Sequence, residues 1–200
     1  MKTEGAVMVV AGAGSGKTRV LTYRIAYLLK KGIDPFHILA LTFTNKAARE
    51  MKDRIGKLVG FNNAQSLWMG TFHSVFARIL RIESSYLGYP SNFTIYDTDD
   101  SKSLMKAVVK SQNLDPKIYQ ESFVLSRISS AKNNLISVKS YKENTELVNQ
   151  DKSTGRPQIG VLYELYQKKL FQSAAMDFDD LLYKINVLFR DYTDVLYKYQ

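Results

Sequence analysis

Through the first ninety residues, short unbroken apolar runs alternate with stretches whose apolar residues recur every three or four positions. Residues 6–10 form such a run, of the kind that a strand buried on both faces requires. A glycine-rich stretch follows. Leu21, Ile25, Leu28 and Leu29 then fall at helical spacing over residues 17–31, with Gly32 and Pro35 as the stop signal. Residues 38–43 make a second buried-type strand. Thr44 is a good cap for the helix after it, whose apolar face is Ala47, Met51, Ile55, Leu58 and Val59 and whose end is Gly60. Residues 67–72, with Trp68 read as core, make a third strand and lead into a helix with Val75, Phe76, Ile79 and Leu80 inward. Strand, loop and helix repeated in this way predict a parallel α/β sheet built by crossovers, with ligands at the carboxyl ends of its strands.

After Gly88 and Pro90 the strand-like runs stop and helical periodicity takes over. Leu104, Met105, Val108 and Val109 make one stripe, Val124, Leu125 and Ile128 another, and Leu162, Leu165, Tyr166 and Leu170 a third, so this section is predicted to be mainly helical. Residues 143–158 are polar, hold Gly155 and Pro157, and read as a long loop. Asp177 caps a last helix bearing Leu181, Leu182, Ile185, Leu188 and Phe189. Charge adds to this pattern. The net +9 is concentrated in residues 1–60, with eleven bases against four acids, and residues 101–142, with eight against two, which makes a polyanionic partner plausible. The 200 residues include no cysteine, which fits a reducing, cytoplasmic setting, and no apolar run approaches a membrane span.

The chemistry lies between the first strand and its helix, in Ala11-Gly12-Ala13-Gly14-Ser15-Gly16-Lys17-Thr18. Small residues let successive backbone N–H groups converge on phosphate oxygens, and the helix start adds the positive end of its dipole. Lys17 would reach the β and γ phosphates of a nucleotide and the Thr18 hydroxyl would ligate Mg²⁺. The general pattern opens with Gly, and here Ala11 holds that place. An ATPase of this type also needs an acidic residue ending a second apolar strand. Asp97 follows residues 93–96, which are too polar, and reads as a helix cap. Asp177, Asp179 and Asp180 follow residues 173–176, a poor strand, and read as a capped, solvated helix start. Half of a hydrolytic site is thus expected to be missing.

These residues resemble the UvrD/Rep/PcrA-type DNA helicases of superfamily 1. The phosphate loop followed by Arg19, the stretch Leu41-Thr42-Phe43-Thr44-Asn45-Lys46-Ala47-Ala48-Arg49-Glu50-Met51, the element Thr71-Phe72-His73-Ser74 and the stretch Met176-Asp177-Phe178-Asp179-Asp180-Leu181-Leu182 occur in the order and spacing of that family. Ser130-Ala131-Lys132-Asn133 resembles part of its helical subdomain. The resemblance implies an N-terminal portion of a motor: an incomplete RecA-like P-loop domain over residues 1–90 and 174–200, and an inserted, mainly helical subdomain over residues 91–173. It implies ATP and Mg²⁺ as cofactors, with Arg19 against the adenine, and single-stranded or partly duplex DNA as partner.

The resemblance places the DNA contacts at Phe43, Thr44, Asn45, Lys46, Thr71, Phe72, His73 and Lys132. Phe43, just past a strand's carboxyl end, suits stacking on an unpaired base, although the sequence alone allows it to be core. Thr44 serves equally as a cap, His73 as a structural residue, Arg19 as an exposed helix arginine, and Lys132 with its basic tract as a solvated face. The expected function is that of an ATP-dependent helicase or translocase on single-stranded DNA, in repair or replication. The 3′ to 5′ polarity comes from the resemblance only, and this chain alone is expected to be close to inactive. Two other classes stay open: a nucleotide or nucleic-acid binding module without activity, and a small-molecule P-loop kinase. A sheet lacking strands would leave an apolar edge through which copies could associate.

Overall fold

In the computed structural model, residues 5–12 and 14–200 are described, and they divide into two compact units, Met1–Val75 and Phe76–Gln200. The fold is mixed α/β, with every strand pairing parallel.

The first unit runs α1 (Lys17–Lys30), a 3₁₀ turn (Pro35–His37), β1 (Leu39–Thr42), α2 (Asn45–Val59), α3 (Phe61–Ser66) and β2 (Trp68–Thr71), then enters α4 (Phe72–Ile82). β1 and β2 are parallel, with Leu39 opposite Trp68 and Thr42 opposite Thr71. Ile25, Ile38, Ala40, Met51, Ile55, Ala64 and Leu67 form the core between helices and sheet. Gly56 lets α3 fold back on α2, because a Cβ there would stand 2.6 Å from the Phe61 ring. Trp68 is half-buried rather than core.

The expected first strand is a correction. Residues 6–10 join no strand, and Met8 and Val10 are 88% and 90% exposed. A strand buried on both faces needs hydrogen-bonded neighbours and covering helices. Among the described residues the sheet of this unit is the β1–β2 pair alone, and it does not take up the segment.

The second unit comprises β3 (Thr94–Tyr96), α5 (Thr98–Ser111), α6 (Glu121–Asn133), α7 (Val138–Glu143), α8 (Thr145–Ser153), α9 (Ile159–Gln172), β4 (Ala175–Asp177), α10 (Phe178–Asp191) and α11 (Thr193–Lys198). Met105, Val108, Val124, Ile128, Leu162, Tyr166 and Leu170 are among the buried residues of its core, as the helical stripes require. Three expectations fail here. Strands do not stop after Pro90, because residues 94–96, read as too polar, form β3 once β4 supplies its hydrogen-bonded neighbour. The loop over residues 143–158 contains α8, started by Asn144, whose side chain accepts from the N–H groups of Glu146 and Leu147. The poor strand at residues 173–176 yields β4, buried at all three positions and paired with β3, with Tyr96 opposite Asp177. Among the described residues no helix is long and apolar enough to cross a membrane.

Candidate nucleotide and strand-binding site

The phosphate loop ends at Gly16, the N-cap of α1, in a left-handed conformation with φ +83°. Gly14 has φ +77°, and a Cβ at either position would meet at most the Arg19 Cβ, 3.8 Å from Gly16. The glycines are therefore demanded by backbone conformation rather than by lack of space. Gly16 has no side chain with which to cap α1, and no acidic residue lies in the first turn, so the positive end of the helix stays open to an anion. The Ser15 hydroxyl donates to the Gly12 carbonyl at 2.7 Å. Lys17 Nζ arches back over the loop, donating to the carbonyls of Gly12 at 2.8 Å and Ala11 at 3.2 Å. Thr18 is exposed, its backbone carbonyl accepting from the Thr22 hydroxyl at 2.7 Å. The Arg19 guanidinium lies over the Tyr23 ring, 5.6 Å from its centroid. Ala13 lies outside the described residues.

A second cluster forms where β1 and β2 end together. Since Thr42 and Thr71 are in register, Phe43 and Phe72 leave the sheet at the same carboxyl end, the first 97% and the second 49% exposed. Phe43 is thus no core residue. Thr44 is the N-cap of α2, its hydroxyl accepting from the Ala47 N–H at 3.1 Å, while Asn45 and Lys46 are exposed on the first turn. The Thr71 hydroxyl accepts from the Ser74 N–H at 3.2 Å, and the Ser74 hydroxyl donates to the Thr71 carbonyl at 2.9 Å. Gly70 accommodates that turn, since a Cβ there would collide with the Ser74 hydroxyl. His73 is half-buried on the first turn of α4. Two separate sequence stretches, Phe43 to Lys46 and Thr71 to His73, are therefore brought to the carboxyl end of one sheet.

The family model for the UvrD/REP helicase N-terminal domain matches residues 1–200. The chain belongs to the UvrD/REP helicase family. It is 46% identical, over 200 residues, to the ATP-dependent DNA helicase PcrA of Staphylococcus aureus strain Mu50, covering 99% of this chain and 26% of that relative. The PcrA of Staphylococcus epidermidis strain RP62A shows the same identity and coverage. The chain thus spans about a quarter of the length of the curated relatives it matches.

In this UvrD/REP-family chain Lys132 is a correction. Its side chain is buried, with Nζ 2.7 Å from Asp177 Oδ2 and 3.0 Å from Asp180 Oδ1, so it cannot present its charge to a DNA phosphate. Burial alone would pull the ammonium below its ordinary value, but the carboxylates of Asp180 and Asp177 more than offset this and hold it above. Tyr166 donates to Asp177 at 3.0 Å, and the Gln167 amide fits between Lys132 and Asp180. Asp177 is not a solvated helix start. It caps α10 in a buried capping box with Asp180, and burial, then the Asp180 charge, push its carboxyl above the usual range despite Lys132. Asp97 is a cap, accepting from the N–H groups of Asp99 and Asp100 at the start of α5. Sequence reasoning did not pair Arg19 with Tyr23, give Ser74 its hydrogen bonds to Thr71, or find the partners of Lys132. The four-residue spacing of Arg19 and Tyr23 on one helix was an available signal for the first.

Proposed function

We propose that the chain is the nucleotide- and DNA-binding N-terminal part of an ATP-dependent DNA helicase or translocase that works on single-stranded DNA. The observation that carries this is the open start of α1, where left-handed glycines, an uncapped helix terminus and an arched Lys17 surround a space suited to phosphate. Family membership supports it, and the relatives named above are described as ATP-dependent DNA helicases. The residues present fit Mg-ATP: Lys17 would turn from the Ala11 and Gly12 carbonyls to the β and γ phosphates, Thr18 would ligate Mg²⁺, and Arg19 would lie on the base side. Ala11, Gly12, Ala13, Gly14, Ser15 and Gly16 supply the cradle. Bound Mg-ATP supplies the hydrolysable phosphate bond that drives movement.

At the carboxyl end of the sheet, Phe43 and Phe72 present rings for bases, and Thr44, Asn45, Lys46, Thr71 and His73 present donors to the sugar-phosphate chain. The same proposal includes a RecA-like domain over residues 1–90 and 174–200 with an insertion over 91–173, cytoplasmic location, a role in repair or replication, and 3′ to 5′ polarity. It also includes association through the open β1–β2 edge. The kinase alternative has no support, because Phe43 to Lys46 occupy the place of its second-strand carboxylate.

Titration with Mg-ATP tests this proposal. Replacing Lys17 with alanine deletes a charge-assisted phosphate contact and lowers affinity about tenfold or more. Unchanged affinity overturns the assignment of the loop.

A further inference from the structure

Beside the phosphate loop is a hollow lined by Gly14, Ser15, Gly16, Arg19, Val20 and Tyr23. Its lining joins the loop to the first two turns of α1. Arg19 and Tyr23 stand one helical turn apart, and the guanidinium is held over the ring at 5.6 Å. Tyr23 does not serve the core. The residue is 46% exposed, while Thr22, Ile25 and Ala26 make the buried face of the same helix. An exposed arginine ordinarily samples many rotamers and loses that freedom when it binds. A neighbouring ring removes part of the loss beforehand by fixing the guanidinium plane.

Resting on the reading of the loop as a triphosphate site, we infer that Tyr23 is a positioning residue for the base of a purine nucleoside triphosphate. It keeps the Arg19 guanidinium beside the hollow, 5.6 Å from its ring centroid, so that a triphosphate seated on the N–H groups of α1 lays its base against a cation already placed there. A planar guanidinium reads the face of a ring and not its edge. The pair therefore favours purines by their area and does not separate adenine from guanine.

The test is calorimetric titration of the 200-residue chain with Mg-ATP, Mg-GTP and Mg-tripolyphosphate. Tyr23→Leu weakens ATP and GTP alike, about three- to tenfold, leaves tripolyphosphate unchanged and leaves the melting temperature unchanged. Tyr23→Phe, which keeps the ring, restores nucleotide affinity. Equal weakening of tripolyphosphate, no effect on ATP, or a collapse in melting temperature overturns the inference, since a merely structural residue would not distinguish nucleoside from polyphosphate. Lys17→Ala separates this from the assignment beneath it. If that variant binds tripolyphosphate as well as the wild type, the phosphate site itself is wrong. If binding depends on Lys17 but not on Tyr23, only the role of Tyr23 falls.

Discussion

Gly16 shows how a single residue sets the geometry of the phosphate loop. Its φ of +83° is one that L side chains avoid, yet a Cβ there would meet nothing closer than 3.8 Å. Gly16→Ala therefore introduces conformational strain without a clash, a cost of about 1–2 kcal/mol that a urea midpoint would show. Gly70 is the opposite case, a glycine whose absent Cβ leaves room for the Ser74 hydroxyl. Substituting alanine there displaces the turn that starts α4 and with it Phe72. Lys46 is exposed where Lys132 is buried, so the two lysines respond differently to salt. Replacing Lys46 with alanine is expected to flatten the dependence of log affinity on log salt for single-stranded DNA by about 0.7, the contribution of one phosphate contact. Lys132→Ala leaves that slope unchanged.

At the scale of elements, Lys132 joins α6 to the start of α10, and Tyr166 adds α9 to the same buried group. Lys132→Met would leave two carboxylates without their cation, a loss of about 3–5 kcal/mol at neutral pH. Because the folded pKa of Asp177 is raised, the folded form keeps a proton at pH values where the unfolded chain has released it. The contribution of Asp177 to stability thus falls as pH rises from the ordinary aspartate value through the raised one. Removing the Lys132 cation raises Asp177 further, so the deficit of the variant shrinks on acidification from pH 7.5 to 5. A deficit that grows in urea unfolding at the lower pH contradicts this. The raised Lys132 acts at the other end of the scale, stabilising the fold until pH rises through its elevated value.

Strands β1 and β2 were legible because each lies in an apolar run, and α5 and α9 because their stripes repeat at helical spacing. β4 was not, since a three-residue strand of Ala175, Met176 and Asp177 has too few positions to show a pattern. α8 escaped notice for a different reason. Its one fully buried residue is Asp151, held by Arg127 at 2.9 Å and Tyr141 at 2.8 Å, and its apolar contact is only the half-buried Leu147 and Val148, so the helix has no repeating stripe to read. Residues 6–10 erred in the other direction, because an apolar run specifies a strand only where neighbours exist to pair with it. The phosphate loop and Phe43 were readable from local sequence. The burial of Lys132 was not, because its carboxylate partners lie 45 or more residues away.

On the scale of the whole molecule, the phosphate loop and the paired aromatics at the end of the sheet belong to the unit Met1–Val75, whereas Asp97 and Asp177 belong to Phe76–Gln200 and are engaged as helix caps. Neither is available to polarise water. ATP turnover by this chain is accordingly expected to stay near background with and without single-stranded DNA, and strong stimulation in a phosphate-release assay would show that one of these carboxylates has been misassigned. Strand binding is the more direct test, because stacking and phosphate contacts carry different signatures. Stacking on Phe43 releases no counterions, so its contribution of about 1–3 kcal/mol per base persists at high salt. The decisive measurement is fluorescence anisotropy of a labelled oligothymidine across a salt series with the wild type and Phe43→Ala. Weakened binding by the variant at every salt concentration, with an unaltered slope, is the predicted result. Equal affinity of the two proteins, or a change confined to the slope, would contradict the account of this end of the sheet as a surface that grips single-stranded DNA.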